Sequence, residues 1–171
     1  MKRIAKFEKI EFEEFEKALK NFEPGLAENA KEIYANLRLP RRGTRLAAGY
    51  DFFAPFPIEL KPNQTITIPS GVRCVMEDNF FLAICPRSGL GFKFRLQLNN
   101  TIGIIDADFI NSESKGHILI KLTNRTNEDK TIYIDTGSGY AQGIFLEYAL
   151  TYDDDVFTER TGGFGSTDTN K

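Results

Sequence analysis

Histidine is almost missing from this chain: among 171 residues there is one, His117. A lone imidazole excludes a multi-histidine metal cage and argues against serine-protease-type catalysis, where a histidine must stand between nucleophile and acid. Any metal is therefore expected as a hard cation on oxygen ligands or on phosphates that a substrate brings with it. Cysteine is nearly as scarce. Cys74 and Cys85 lie in apolar runs and read as core thiols, which fits a reducing, cytoplasmic setting; no export signal is read that would take them to an oxidising one. No apolar run is long enough to span a bilayer, so no membrane attachment is expected. Nor is there a surplus of either charge: 22 basic against 24 acidic residues, a formal net charge of -2, offers no general attraction for nucleic acid or an anionic membrane. The alternation of strand and helix that marks a parallel sheet is absent as well.

What is present fits one domain of ordinary size with a sizeable core. Residues 1–38 read as an N-terminal extension. A strand is expected over 3–10 and an amphipathic helix over 11–22, with Phe12, Phe15, Leu19 and Phe22 at helical spacing. Pro24 and Gly25 break it. Leu26, Ala30, Ile33, Tyr34 and Leu37 allow a second helix, although residues 32–39 could equally lead into a strand. Core packing or a partner surface is the expected role here, with no chemistry. From Leu39 onward, short β-branched runs at 65–68, 72–76, 118–122 and 131–134 are separated by Pro, Gly, Asn and Asp. The continuous apolar run 80–85 reads as a strand buried on both faces. The pattern predicts an all-β sandwich, jelly roll or barrel over residues 39–157, followed by a C-terminal arm at 158–171.

Residues 99–108, Asn-Asn-Thr-Ile-Gly-Ile-Ile-Asp-Ala-Asp, hold the densest concentration of polar chemistry. A glycine inside a short apolar strand marks a bulge or a close approach of another molecule. Asp106 and Asp108 share one face if the strand continues, since residues two apart point the same way. Asn99 and Asn100 offer amides that both donate and accept, which suits the edge of a nucleobase. A plain hairpin with Asn and Asp as turn residues explains the same spacing. Two further stretches add to it. Ala-Gly-Tyr-Asp at 48–51 sets an acid at an apolar strand entrance, and Pro-Arg-Ser-Gly-Leu-Gly at 86–91 sets a guanidinium, a hydroxyl and two glycines at a strand's end. That composition can wrap phosphate oxygens, or can simply form a glycine turn.

Taken in order, Ala-Gly-Tyr-Asp (48–51), Pro-Arg-Ser-Gly-Leu (86–90), Asn-x-x-Gly-Ile-Ile-Asp-Ala-Asp-Phe (100–109), Gly-Ser-Gly-Tyr-Ala-Gln (137–142) and Arg-Thr-Gly-Gly-Phe-Gly-Ser-Thr (160–167) resemble the five motifs of the trimeric dUTPases. One motif would be weak; five in order are specific, and the resemblance covers residues 39–168. The resemblance implies a jelly-roll-like β-clip subunit with a flexible C-terminal arm, the helical N-terminal extension lying outside it, and a homotrimer whose active sites take motifs from all three chains. The implied reaction cleaves dUTP between the α- and β-phosphates, giving dUMP and pyrophosphate, with Mg2+ held by the triphosphate. That keeps dUTP low and supplies dUMP for thymidylate synthesis.

Residue by residue, the resemblance assigns activation of the attacking water to Asp106. Asn100 and the backbone at Gly103, Ile104 and Ile105 would read uracil and leave no space for a thymine methyl. Phe109 stands where the family usually has tyrosine and would pack against the deoxyribose, refusing a 2′-hydroxyl. Arg87, Ser88, Gly89 and Gln142 would hold the phosphates. Asp51 would act through Arg87 or through a Mg2+-bound water, with no residue as a direct metal ligand. The fourth motif carries Ser138 and Gly139 where Asp-Arg is frequent. The arm would close over the nucleotide, Phe164 stacking on uracil while Arg160, Gly165, Ser166 and Thr167 clasp the γ-phosphate. Residues 110–116 exceed the usual turn and read as a solvent loop or a pocket rim. Two alternatives stay open: a dCTP deaminase on the same fold, which would need a Glu near the third motif, and a regulatory nucleotide-binding protein.

Overall fold

The computed structural model describes residues 2–158 together with Arg160 and Gly162; Phe164, Gly165, Ser166 and Thr167 lie outside the described residues. The chain begins with strand β1 (Ala5–Lys9) and helix α1 (Phe12–Phe22), and passes through a 3-10 turn (Pro24–Asn29) into α2 (Ala30–Asn36). It continues through β2 (Arg41–Arg42), β3 (Tyr50–Phe53), β4 (Ile58–Leu60), β5 (Thr65–Pro69), β6 (Val72–Met76) and β7 (Phe80–Pro86). Helix α3 (Ser88–Phe94), β8 (Leu96–Leu98), β9 (Gly103–Asp106), a second 3-10 turn (Ala107–Asn111), β10 (Leu119–Asn124), β11 (Ile132–Ile134) and β12 (Gly139–Glu147) follow.

The strands form an all-β, jelly-roll-like architecture in which neighbouring strands run antiparallel. Its main sheet has the order β2-β3-β12-β7-β9, and a second has the order β5-β10-β8. Leu82, Ala83 and Ile84 are buried in succession, so both faces of β7 are covered where it runs between β12 and β9. That accounts for its unbroken apolar run, since a strand covered on both faces has no use for alternation.

The N-terminal residues are built into this body. β1 pairs with β6, from Ala5 opposite Met76 to Lys9 opposite Val72. Phe15 and Leu19, four residues apart on one face of α1, are fully buried and belong to the same apolar core as Phe52, Ile68 and Ile120. Arg73 on β6 fastens the junction by pairing with Glu8 and Glu11, each at 3.1 Å. Pro24, at the start of the 3-10 turn, ends α1 one residue after Glu23.

Two stretches carry more local structure than a plain turn or loop. Residues 88–94 form a short helix where a glycine turn was one reading. Residues 110–116 fold back on themselves: Ser112 is buried, its Oγ accepts the Gly116 N–H at 3.2 Å, and Gly116 packs against Ile110 at a positive φ of 80°. Beside that loop sits His117, 2% exposed, whose Nε2 accepts the Gly71 N–H at 3.0 Å.

Burial pushes the His117 imidazole down to about 4. A depressed histidine leaves the folded state binding fewer protons than the unfolded one between pH 6.5 and 4. Stability from this group is therefore complete above pH 6.5 and falls as pH drops towards 4, by about 3 kcal/mol in all. Thermal midpoints measured from pH 7 to 4 should show this loss, and His117→Gln, which keeps an acceptor but cannot titrate, should lack that component of it.

Candidate active site

β8 and β9 are joined by only four residues, yet they do not pair with each other. β8 pairs with β10, and β9 pairs with β7, from Gly103 opposite Ile84 to Asp106 opposite Phe81. Each is the outermost strand of its own sheet. Two strand edges thus diverge from a single turn, which is closed by Thr101 N–H donating to Leu98 O at 3.1 Å. Edge strands carry backbone donors and acceptors that no neighbouring strand satisfies.

Between them lies a cavity of about 330 Å³, lined by Ile84, Leu98, Asn99, Asn100, Gly103 and Ile105 and also by Phe22 and Leu119. Apolar walls for the faces of a ring and polar groups for its edge are what a nucleobase requires. The two asparagines divide in role. Both line the cavity, but Asn99 Oδ1 accepts from Thr123 Oγ1 at 2.7 Å, whereas the Asn100 side chain takes no hydrogen-bond partner among the described residues. Gly103 is fixed by β7: a Cβ there would come within 3.1 Å of Ile84 Cβ and 3.9 Å of the Asn100 amide nitrogen.

β9 ends at Asp106, so Asp108 comes from the following 3-10 turn and not from a continuing strand. The two carboxylates converge nonetheless, on one guanidinium. Arg160 donates from Nη2 to Asp106 Oδ2 at 2.6 Å and from Nε to Asp108 Oδ1 at 2.8 Å. Both acids are about half exposed, at 47% and 48%, so solvent reaches them. The same guanidinium lies 5.9 Å from the centre of the Phe109 ring, which is buried beneath it. Among the described residues Arg160 thus lies on the carboxylates, while the resemblance gives it to a phosphate.

A second cluster forms where β3, β12 and β7 run side by side. Register alone assembles it: Asp51 lies opposite Gln142, and Gln142 opposite Cys85. Arg87 Nε pairs with Asp51 Oδ1 at 3.1 Å, and its Nη1 donates to Gly139 O at 3.3 Å. Gln142 Nε2 donates to Pro86 O at 3.2 Å. Ser88 and Gly89 begin α3 beside them, exposed, with open space around Gly89. Guanidinium, hydroxyl, amide and backbone N–H groups together make a site for an anion with several oxygens.

Glycines keep this cluster open. A Cβ on Gly49 would stand 2.5 Å from Gln142 Oε1, and one on Gly139 would stand 2.7 Å from Arg87 Nη1. Gly139→Ala should therefore displace the guanidinium and lower kcat/KM on the order of ten- to a hundredfold, the scale expected for a small misplacement of a positioning group. Steady-state kinetics beside a thermal melt would check that the effect is local.

The two clusters are not brought together within one chain. Asp106 lies opposite Phe81 at one end of β7, and Arg87 follows Pro86 at the other. Six residues of strand separate them by roughly 20 Å. Among the described residues, no three of His, Cys, Asp or Glu converge as a metal-binding group, and no helix is long and apolar enough to cross a membrane.

Sequence reasoning missed the place of Phe22 on the cavity and the contacts that demand Gly49 and Gly139. Phe22 read as the last residue of a core-facing stripe, and its position just before the Pro24 break was the one available signal. The fit of each glycine against a side chain some ninety or fifty residues away depends on strand register, which the sequence does not display.

Residues 35–168 match the dUTPase family model. The chain is 34% identical over 136 residues to the deoxyuridine 5'-triphosphate nucleotidohydrolase of Lactococcus lactis, a match covering 78% of this chain and 89% of that protein. It is 33% identical over 147 residues to the enzyme of the same name from Hahella chejuensis, covering 81% and 92%. The crystal structure of the dUTPase from Streptococcus mutans superposes with a TM-score of 0.58 at 33% identity, over 66% of this chain and 88% of that one. A mutant dUTPase from phage phi11 of S. aureus, whose structure describes coordination of a structural Mg(II) ion, shares the fold at 21% identity with a TM-score of 0.57, over 72% of this chain and 92% of that one.

Proposed function

The chain belongs to the dUTPase family, and we propose from that membership how its residues carry out the reaction. It is a dUTP diphosphatase, hydrolysing dUTP to dUMP and pyrophosphate. Uracil enters the cavity between β8 and β9, where the free edge of β9 at Gly103, Ile104 and Ile105 and the Asn100 amide meet its N3–H and carbonyl oxygens. The deoxyribose lies towards Phe109. The observation that carries this reading is the double role of β9: one strand offers an unpaired edge to a base and, at its end, holds the half-exposed carboxylate of Asp106.

A water hydrogen-bonded to Asp106 attacks the α-phosphorus. Asp106 takes the proton, the new P–O bond forms, and the α–β bridging bond breaks to release pyrophosphate. Arg87, Ser88, Gly89 and Gln142 hold the phosphate oxygens as charge shifts onto them, which favours the transition state because the donors are already in place. Arg160 transfers from Asp106 and Asp108 to the γ-phosphate when the nucleotide arrives, freeing the base; Phe164, Gly165, Ser166 and Thr167 complete that closure.

Mg2+ fits this donor set as a hard cation that the triphosphate oxygens would hold; Asp51, already paired with Arg87, would face it through water. Bound there, it would neutralise phosphate charge. The separation of roughly 20 Å between Asp106 and Arg87 along β7 supports a homotrimer in which one chain supplies the base and another the phosphate cradle. Free thiols at Cys74 and Cys85 support a reducing, cytoplasmic location.

Pyrophosphate release from dUTP, run beside UTP, dTTP and dCTP, tests the reading. Cleavage confined to dUTP is expected. Ammonia release from dCTP would point to a deaminase, and nucleotide binding without product would point to a regulatory protein.

A further inference from the structure

The cavity beside β9 has one wall that the family-matched part of the chain does not supply. Phe22 is the last residue of α1 and precedes residues 35–168, yet its ring lines the same space as Asn100, Gly103 and Ile105. Its position is not loose. Phe15 and Leu19 bury the same helix face completely, and the backbone N–H of Glu23 caps the helix on Leu19 O at 2.8 Å. Pro24 then turns the chain away.

Phe22 itself is 40% exposed, so the core does not need it. A large ring held rigidly at the mouth of an apolar cavity, with part of its surface still in water, gains most when a flat apolar face covers it. The same cavity is lined by Asn100 and Gly103, whose polar groups would fix the edge of a base. The ring covers a face; Asn100 and the edge of β9 read the rim.

Resting on the dUTP reading above, we propose that Phe22 is a wall of the pyrimidine site, through which the N-terminal extension of this chain sets nucleotide affinity. The residue touches the base and not the phosphates, so its loss should weaken binding more than chemistry.

The test is equilibrium binding of dUMP and of pyrophosphate to wild type, Phe22→Ala and Phe22→Leu, with steady-state kinetics on dUTP. Phe22→Ala is expected to weaken dUMP binding about tenfold, the scale of one stacking or packing contact on a base. KM should rise in step, with kcat and pyrophosphate affinity within twofold of wild type. Phe22→Leu should recover part of the loss. Unchanged dUMP affinity in folded Phe22→Ala would overturn the proposal; if trimer dissociation rises at the same time, Phe22 belongs to a contact between copies. Should Phe22→Ala fail to fold, Phe22→Leu carries the same comparison, and wild-type dUMP affinity there would equally overturn it. Failure of the dUTP reading looks different, because wild type itself would then neither bind dUMP nor cleave dUTP.

Discussion

Asp106→Asn is expected to lower kcat on dUTP by about 10²–10⁴-fold, the usual contribution of a positioned general base. The substitution keeps the shape of the side chain and removes its ability to accept a proton. It also weakens the 2.6 Å pair with Arg160, but both partners reach solvent, and exposed pairs contribute only about 0–1 kcal/mol. The thermal midpoint should therefore hardly move. In the proposed mechanism Asp106 acts on the water and not on the base or the outer phosphates, so binding of dUTP should persist. Single-turnover kinetics with parallel binding measurements would separate these effects; a variant that no longer binds dUTP would place Asp106 in recognition and not in proton transfer.

Arg87→Ala should have the next largest effect, a fall of about 10²–10³-fold in kcat, typical of removing one donor aimed at developing charge. Here dUTP and pyrophosphate affinity should fall as well, because in the proposed mechanism the guanidinium holds phosphate in the ground state too. Arg87→Lys should rescue little. The guanidinium reaches Asp51 from Nε and the Gly139 carbonyl from Nη1 at once, and an ammonium cannot span both while facing a phosphate. The split between the two variants is diagnostic: Asp106→Asn changes kcat and spares binding, whereas Arg87→Ala changes both. Equal loss of pyrophosphate affinity in the two would contradict the division into a chemical cluster and an anion cluster.

The legible part of this structure was the part encoded locally. Residues 80–85 announced a doubly covered strand by lacking polar residues, and α1 announced its buried face through Phe15 and Leu19. The motifs were legible as motifs, and the structure places Asp106 at the end of β9, Arg87 just past β7 and Gln142 within β12, between Asp51 and Cys85. What remained hidden was set by pairing between distant strands. That β8 and β9 leave their common turn for different sheets follows from the partners they take, β10 and β7, not from the turn itself. The fit of Gly139 against Arg87 exists only once β12 lies beside β7. Asp108 would share a face with Asp106 on a continuing strand; the 3-10 turn beginning at Ala107 carries it to the same guanidinium by another route.

The central claim is that one catalytic unit draws Asp106 and Arg87 from different copies of the chain. It is tested most directly by co-expressing Asp106→Asn and Arg87→Ala chains with different tags and isolating trimers that carry both. If each site takes its base from one copy and its cradle from the next around a cyclic trimer, every mixed trimer contains one site with both native residues, and activity should return to about a third of wild type. If the mixed trimers stay as inactive as either parent, both residues serve the same site from the same chain, and the shared-site account fails.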